Sequence, residues 1–358
     1  MKERRLDYLD MLKGIGIILV VLGHTPSLSE SVRTWLLSFH MPLFFIMSGM
    51  LFGFKESVRE PFLPYLCKRL KNTMIPYFWF SLLNIGIDVC RLYIRPENVG
   101  PEVIVTDVLQ TISFFGISVL WFLPTIFLGE ICMYGLIRKC PVWLTGLIGV
   151  ISLWLPAAGG LIQTSLPMEE NLFLRWLGYL LMMLLRVLPA LVFLLVGNMM
   201  YCLLKRTSKK AVWEIILGFC FLLLNVATAF ANGRVDLHYL VFQNILLYYL
   251  AACSAVIGLI LICRHVKPFR LLGFLGRNSL IIMLTHLDCR VMDLSIRFAT
   301  TMSERMPGAA NLMFRIWLYL ALLVGELLLI VLINRFGFFL IGRKEPVKWE
   351  EQHAAREL

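Results

Sequence analysis

Charge is what this sequence has least of: Asp, Glu, Lys and Arg together supply 16% of its 358 residues, against 59% hydrophobic residues. Soluble domains carry about a quarter charged residues, so a water-exposed globular fold is excluded and the chain is read as an integral membrane protein. A mean hydropathy of +0.78 agrees. No polar segment between the apolar runs exceeds about thirty residues, which leaves no room for a separate soluble domain. The nine cysteines are an odd number, lack any CxxC spacing and lie in or beside apolar runs. They are read as small core residues, neither a disulfide framework nor metal ligands, and no metal is expected. Internal repeats and low-complexity tracts are also absent. The basic start and apolar core of "MKERRLDYLDMLKGIGIILVVLGH" resemble a signal peptide, but no small-residue cleavage site follows, so a retained first helix is expected. Acidic residues are outnumbered, leaving a net charge of +11. The cations sit in short clusters between apolar runs, so topology explains them better than a nucleic-acid partner, and none is expected.

What is present is a succession of runs long enough to cross a bilayer, about 20 residues each. They fall near 8–26, 34–54, 73–94, 118–137, 141–158, 176–203, 211–231, 239–263, 271–290 and 312–334. The expected fold class is therefore all-α, a polytopic membrane protein of about ten transmembrane helices. Pro26, Pro42, Pro76, Pro124 and Pro189 fall at span ends or inside spans, where neighbours re-satisfy freed carbonyls. With the N-terminus inside, cytoplasmic loops collect Lys55, Arg59, Lys68, Arg69 and Lys71, then Arg138 and Lys139, Lys205, Arg206, Lys209 and Lys210, and Arg264, Lys267 and Arg270. The opposite loops hold only scattered arginines, Arg33, Arg95, Arg175 and Arg234. This asymmetry places both termini in the cytoplasm. One transmembrane domain is expected over 1–343, with larger outer loops at 95–117, 159–175 and 291–311, and a short polar tail over 344–358.

Within the first run, Lys13 and His24 stand eleven positions apart, which at 3.6 residues per turn is within roughly 20° of three whole turns. One helix face thus joins a cation near the cytoplasmic surface to an imidazole about 16 Å deeper. Ionisable groups at such depth are costly and line cavities or pathways. The alternative is that His24 bonds a neighbouring helix while Lys13 snorkels to headgroups. In the second run His40 and Pro42 precede the small pair Ser48 and Gly49, a close-packing signal. Lys68, Arg69 and Lys71 enter the third run from the cytoplasm, as topology cations or as an anion site for phosphates. Glu130 lies inside an apolar span and needs a partner, for which Arg186 is a candidate. Asn232, Arg234 and Asp236 form a polar outer turn. Arg277 and Asn278 open the ninth run, with His286 eight residues beyond Asn278. Asp88, Glu326 and Arg315 are read as helix contacts or interface anchors.

Taken in order, these pieces resemble the acyltransferase 3 family of membrane-bound O-acyltransferases, which includes fucose O-acetylase-like and other bacterial polysaccharide O-acetyltransferases. Lys13 to His24 fits the family's signature of Arg or Lys, ten residues, then His. "FHMPLFFIMSGMLF", "IPYFWF", "WFLPTIFL", "NGRVDL" and "GRNSLIIMLTH" are similar to its later blocks, in the expected order and over nearly the whole chain. One departure is visible: where members often carry Arg-x-x-Arg before the third helix, this chain reads Arg-Leu-Lys-Asn from Arg69, and lysine lacks arginine's bidentate fork.

The resemblance implies a bacterial inner-membrane enzyme that takes an acetyl group from cytoplasmic acetyl-CoA. The acceptor would be a hydroxyl of a cell-envelope polysaccharide or of its lipid-linked precursor. Its partners would then be the acyl-CoA, the glycan acceptor and membrane lipid. On this view His24 is the catalytic imidazole, as general base or as a covalent acyl carrier, with Lys13 and His40 beside it. Lys68, Arg69, Lys71 and Arg277 are the cations for the CoA phosphates, while Trp121, Asn232, Asp236 and His286 shape the acceptor side. A transporter or flippase of a small solute or lipid-linked sugar is the alternative from another class, and a scaffold in a polysaccharide assembly complex a third.

Overall fold

The computed structural model describes residues 6–94, 100–169, 171–206, 211–305 and 310–346. Of the expected polar tail, 347–358 lie outside these residues, as do Arg95, Lys209 and Lys210. Among the described residues the chain is helical, with no strand and one isolated bridge pairing Asp236 with Val241.

The helices follow in the order α1 (Asp7–His24), α2 (Glu30–Leu37), α3 (His40–Phe54), α4 (Phe62–Arg69), α5 (Ile75–Ile94), α6 (Pro101–Ile112), α7 (Phe122–Lys139) and α8 (Val142–Trp154). After them come α9 (Gly159–Ser165), α10 (Leu172–Arg206), α11 (Ala211–Asn232), α12 (Ile245–Cys263), α13 (Arg270–Arg277), α14 (Ser279–Thr285), α15 (Val291–Glu304) and α16 (Ala310–Arg335). Eight stretches of the described residues are long and apolar enough to cross a membrane: Glu30–Phe54, Phe62–Ile94, Ser118–Lys139, Trp143–Ser165, Leu172–Arg206, Ala211–Asn232, Ile245–Cys263 and Ala310–Arg335. This is a multi-pass, all-α membrane protein.

The two remaining expected spans differ for identifiable reasons. α1 forms where the first was expected, but its 18 residues include Asp7, Asp10 and Lys13. The run at 271–290 is not one helix. Asn278 turns its side-chain amide back to the Phe274 carbonyl at 2.9 Å and leaves helical geometry, so α13 and α14 are separate pieces of eight and seven residues. The third span is longer than expected because α4 runs into α5 through a π-helical turn over Leu70–Met74. Pro76 has no N–H for the Asn72 carbonyl, and its ring crowds that turn; the wider π geometry accommodates both.

The chain forms two compact units, one built from residues 1–66, 112–115 and 124–279, the other from 67–111, 116–123 and 280–358. In the first, helices meet backbone to backbone through small residues. Gly49 of α3 lies against the Leu194 carbonyl, while Gly197 of α10 lies against that of Ile46. Gly14 of α1 and Gly276 of α13 make the same reciprocal contact, against Leu272 and Asp10. Fully buried Asn225 ties α2, α11 and α12 together: its oxygen accepts from Trp35 Nε1 at 2.7 Å, and its amide donates to the Ala251 carbonyl at 2.9 Å. Glu130 accepts from Ser48, and buried Arg186 donates to the carbonyls of Phe115 (2.8 Å) and His238 (3.3 Å) while lying 4.5 Å from the Phe115 ring centre. Ser48 is thus a partner for Glu130 that the sequence did not suggest.

In the second unit α15 packs along α16. The Thr285 hydroxyl reaches Glu326 Oε2 at 2.7 Å inside the last span, while Glu326 Oε1 has no hydrogen-bond partner among the described residues. Asp88 of α5 is met by Arg91 at 2.7 Å and by Arg290 at 3.1 Å. Gly116 has a φ of +87° and the Trp121 backbone directly over it, so neither a left-handed penalty nor a Cβ can be tolerated there.

Candidate active site

α1 ends where it does because Pro26 disfavours helical geometry at the residue before it. Thr25 is extended, at φ −75° and ψ 138°, and both its N–H (3.0 Å) and its hydroxyl (2.8 Å) bond the Leu22 carbonyl. His24 is therefore the last helical residue. His24 is exposed at the surface of the protein. Arg33 and Asp236 act on it electrostatically, and it acts in turn on His40.

Each of these neighbours is held independently. Arg33 donates to the Thr25 carbonyl at 3.0 Å, so it is pinned to the residue that follows His24. Glu30 lies 3.4 Å from Arg33 and 3.6 Å from Arg234. Asp236 is fixed by its backbone bridge to Val241 and accepts the Tyr239 N–H at 3.1 Å. Asn232 closes α11 with its side chain 3% exposed; its oxygen accepts from the Asn244 N–H at 2.8 Å, and its Nδ2 has no partner among the described residues. His40, the first residue of α3, bonds the Leu36 carbonyl through Nδ1 at 2.8 Å. A carbonyl only accepts, so Nδ1 carries the proton and Nε2 is the basic nitrogen. In the loop after Asp236, burial and the Arg186 charge push the His238 imidazole well below its usual range, so that ring is neutral.

Three turns away on the same helix, Lys13 is half-buried. The glycine contact seats Gly276 on the Asp10 and Gly14 backbone, so Arg277, the next residue of α13, stands at the level of Lys13. Lys13 and Arg277 thus stand about a third of the way along α1, past its acidic first turn of Asp7 and Asp10, and the imidazole stands at its C-terminal end.

The remaining predicted residues belong to the second unit. Lys68 and Arg69 close α4, with Lys68 exposed, and Lys71 lies in the π turn, its carbonyl packed against Gly342. Thr73 donates to the Arg69 carbonyl at 2.7 Å, stitching that turn. Trp121 is buried at the start of α7, edge-on to Phe122. His286 is fully buried after α14 and bonds the Ile282 carbonyl through Nδ1 at 2.9 Å, so it too carries its proton there.

Within the first unit the structure therefore gathers His24, His40 and Asp236 at the C-terminal end of α1, and Lys13 and Arg277 three turns earlier. The residue missed by sequence reasoning is Arg33. Its signal was its place among the few cations on the otherwise cation-poor side of the chain. Among the described residues no group of three or more His, Cys, Asp or Glu could hold a metal ion.

A bundle of membrane-length helices with an exposed imidazole in electrostatic reach of a carboxylate, a guanidinium and a second imidazole defines a membrane-embedded protein equipped for acid–base chemistry. Residues 6–339 match the family described as acyltransferase domain, nearly the whole chain, and the protein belongs to that acyltransferase 3 family. No curated protein and no solved structure matches it.

Proposed function

We propose that this acyltransferase moves an acetyl group from cytoplasmic acetyl-CoA to a hydroxyl of a cell-envelope polysaccharide, or of its lipid-linked precursor, in the bacterial inner membrane. The observation that carries the reading is the build of α1: an exposed imidazole at its C-terminal end, in electrostatic reach of Arg33 and Asp236, and two cations, Lys13 and Arg277, at a level three turns earlier. The axial distance of about 16 Å between them sets the length the donor must span, from an anionic end to a reacting thioester. A nucleotide on a long pantetheine arm has that form. Lys68, Arg69 and Lys71 of the second unit are further phosphate ligands on the strength of the family resemblance alone.

In the reaction, His24 takes the proton of the acceptor hydroxyl as its oxygen attacks the thioester carbon. The C–O bond forms, the C–S bond breaks, and the proton passes to the departing thiolate. Asp236 favours the imidazolium formed in that step, and Arg33 faces the oxyanion that develops on the thioester carbonyl. His40 offers Nε2 as a second proton acceptor. Asn232 brings a buried amide donor suited to a sugar hydroxyl.

The test is purified full-length protein with labelled acetyl-CoA and an envelope glycan fraction. Label should move to the glycan, and His24→Ala should abolish transfer while the protein stays folded; retained transfer by the variant rejects the assignment. The break at Asn278 favours one other reading, since interrupted helices also build transport sites. Solute uptake into vesicles without acetyl-CoA, and no turnover of acetyl-CoA, would select it.

A further inference from the structure

The second unit holds a cavity of about 1110 Å³ between α5 and α15 that none of the chemistry above uses. One wall is hydrocarbon: Leu82, Leu83, Ile87, Ile94 and Leu294 line it, and all but Ile87 are exposed. The other side is cationic, with Arg91, Arg290 and Arg297.

The arginines are not spent within the protein. Arg91 and Arg290 share a single carboxylate oxygen of buried Asp88, at 2.7 and 3.1 Å, and their side chains remain 43% and 37% exposed. Asp293, half-exposed on the same wall, pairs with Arg290 at 3.1 Å. Arg297 is exposed and makes no side-chain bond among the described residues. Asp107 bonds Asp88, and Asp107 and Asp288 also act on Arg290, so three of the four carboxyl groups lie on the buried side, while the Arg91 and Arg297 guanidinium groups lie on the open side. Arg290 also has a φ of +57°, a left-handed conformation uncommon for a side chain of its size, at the residue that opens α15.

On the far side of α15 a second cleft of about 620 Å³ runs against α16, lined by Phe298, Trp317, Leu320, Val324 and Leu328. Leu294 borders both cavities and is 63% exposed. A cationic pocket with a greasy wall, adjoining a cleft that is apolar but for Ser295 and Cys289, matches an amphiphile with an anionic head and a long hydrocarbon chain. In the orientation that keeps the basic loops inside, the Arg91 end of α5 faces outward.

We propose that this groove seats the phosphate of a lipid-linked acceptor. The phosphate sits against Arg91, Arg290 and Arg297, and the hydrocarbon chain runs over Leu294 into the cleft beside α16. The function assigned to the groove rests on the acyl-transfer reading above, whereas binding is tested without any transfer.

Full-length protein in a neutral detergent is titrated with decaprenyl phosphate, with decaprenol, inorganic phosphate and phosphatidylglycerol as competitors. One decaprenyl phosphate should bind per chain. Arg297→Gln, on an exposed side chain outside the Asp88 cluster, should weaken it about tenfold, and the Arg91→Gln/Arg297→Gln pair further. His24→Ala should bind it as the parent does, so failure of the transfer chemistry stays separate from failure of the groove. Equal binding by the double variant, or displacement by decaprenol or inorganic phosphate at matching concentrations, overturns the proposal. Displacement by phosphatidylglycerol at equal concentration makes the groove a general anionic-lipid site and overturns the acceptor assignment.

Discussion

Replacing Gly276 with alanine should separate the two cations that stand at one level of α1. A methyl at that position would lie 2.8 Å from the Asp10 carbonyl carbon and 2.9 Å from the Gly14 nitrogen. It would also overlap the Asp10 carbonyl oxygen outright, and since non-bonded contacts settle at about 3.5–4.0 Å, α13 must retreat from α1 by more than about 1 Å. Overpacking of this kind costs about 1–3 kcal/mol, and alanine's better helix propensity returns about 1 kcal/mol. The overlap with the Asp10 carbonyl puts the cost at the upper end of that range, so the net is a loss of about 2 kcal/mol, with Arg277 carried away from Lys13. Gly149 of α8 is the control, because a methyl there meets nothing within 4 Å. Gly149→Ala should therefore stabilise by up to about 1 kcal/mol. Thermal unfolding in detergent should show shifts of opposite sign for the two variants. In the acyl-transfer assay only Gly276→Ala should raise the KM for the donor. Shifts of the same sign, together with an unchanged donor KM, would refute the close-contact account of the donor end.

Two other perturbations test the packing. Asn225→Ala removes the acceptor of the partly buried Trp35 indole, leaving that N–H unpaired, and takes one donor from the Ala251 carbonyl, which keeps the Ser254 hydroxyl. It should cost about 1–3 kcal/mol, read as a lower Tm, whereas a loss below about 0.5 kcal/mol would contradict the role given to that side chain. Asp107, on α6 outside the spans, has its carboxyl pushed up to about 6, first by burial and then by the neighbouring Asp88. Its folded-state affinity for a proton exceeds the unfolded one, so stability is fully present below about pH 4 and falls as pH rises through about 6. Asp107→Asn should remove that slope, and its Tm advantage should grow between pH 4 and 7 by an equivalent of about 1–3 kcal/mol. A pH-independent difference would rule out the titration.

Much of the fold could be read from composition, because a bilayer demands long apolar helices and little else satisfies the backbone there. What could not be read depended on single polar side chains. Asn278 sits in a run that looks continuous, and only its bond to the Phe274 carbonyl decides that the helix breaks. The π turn before Pro76 has no compositional mark. At the site, Lys13 and His24 were legible because both lie on one helix with a fixed period. Asp236 was legible only as a member of a motif, and its closeness to His24 is set by tertiary packing. Arg33 was passed over as an ordinary outer-loop cation, since its bond to the Thr25 carbonyl spans a loop that no periodicity describes. The groove lined by Arg91, Arg290 and Arg297 joins segments about two hundred residues apart, and no local pattern announces it.

The Thr25–Pro26 stop gives α1 the character of a measuring rod. Adding one residue anywhere between Lys13 and the stop would lengthen the rod by only about 1.5 Å but swing the imidazole by about 100° relative to the lysine, off Arg33 and Asp236. Apart from Gly14 and Gly16, which are held by close contacts with Leu272 and Leu43, the residues in between are thus free to drift among apolar types, whereas their number is not. Evolution acting on this helix would tolerate substitution and purge insertion.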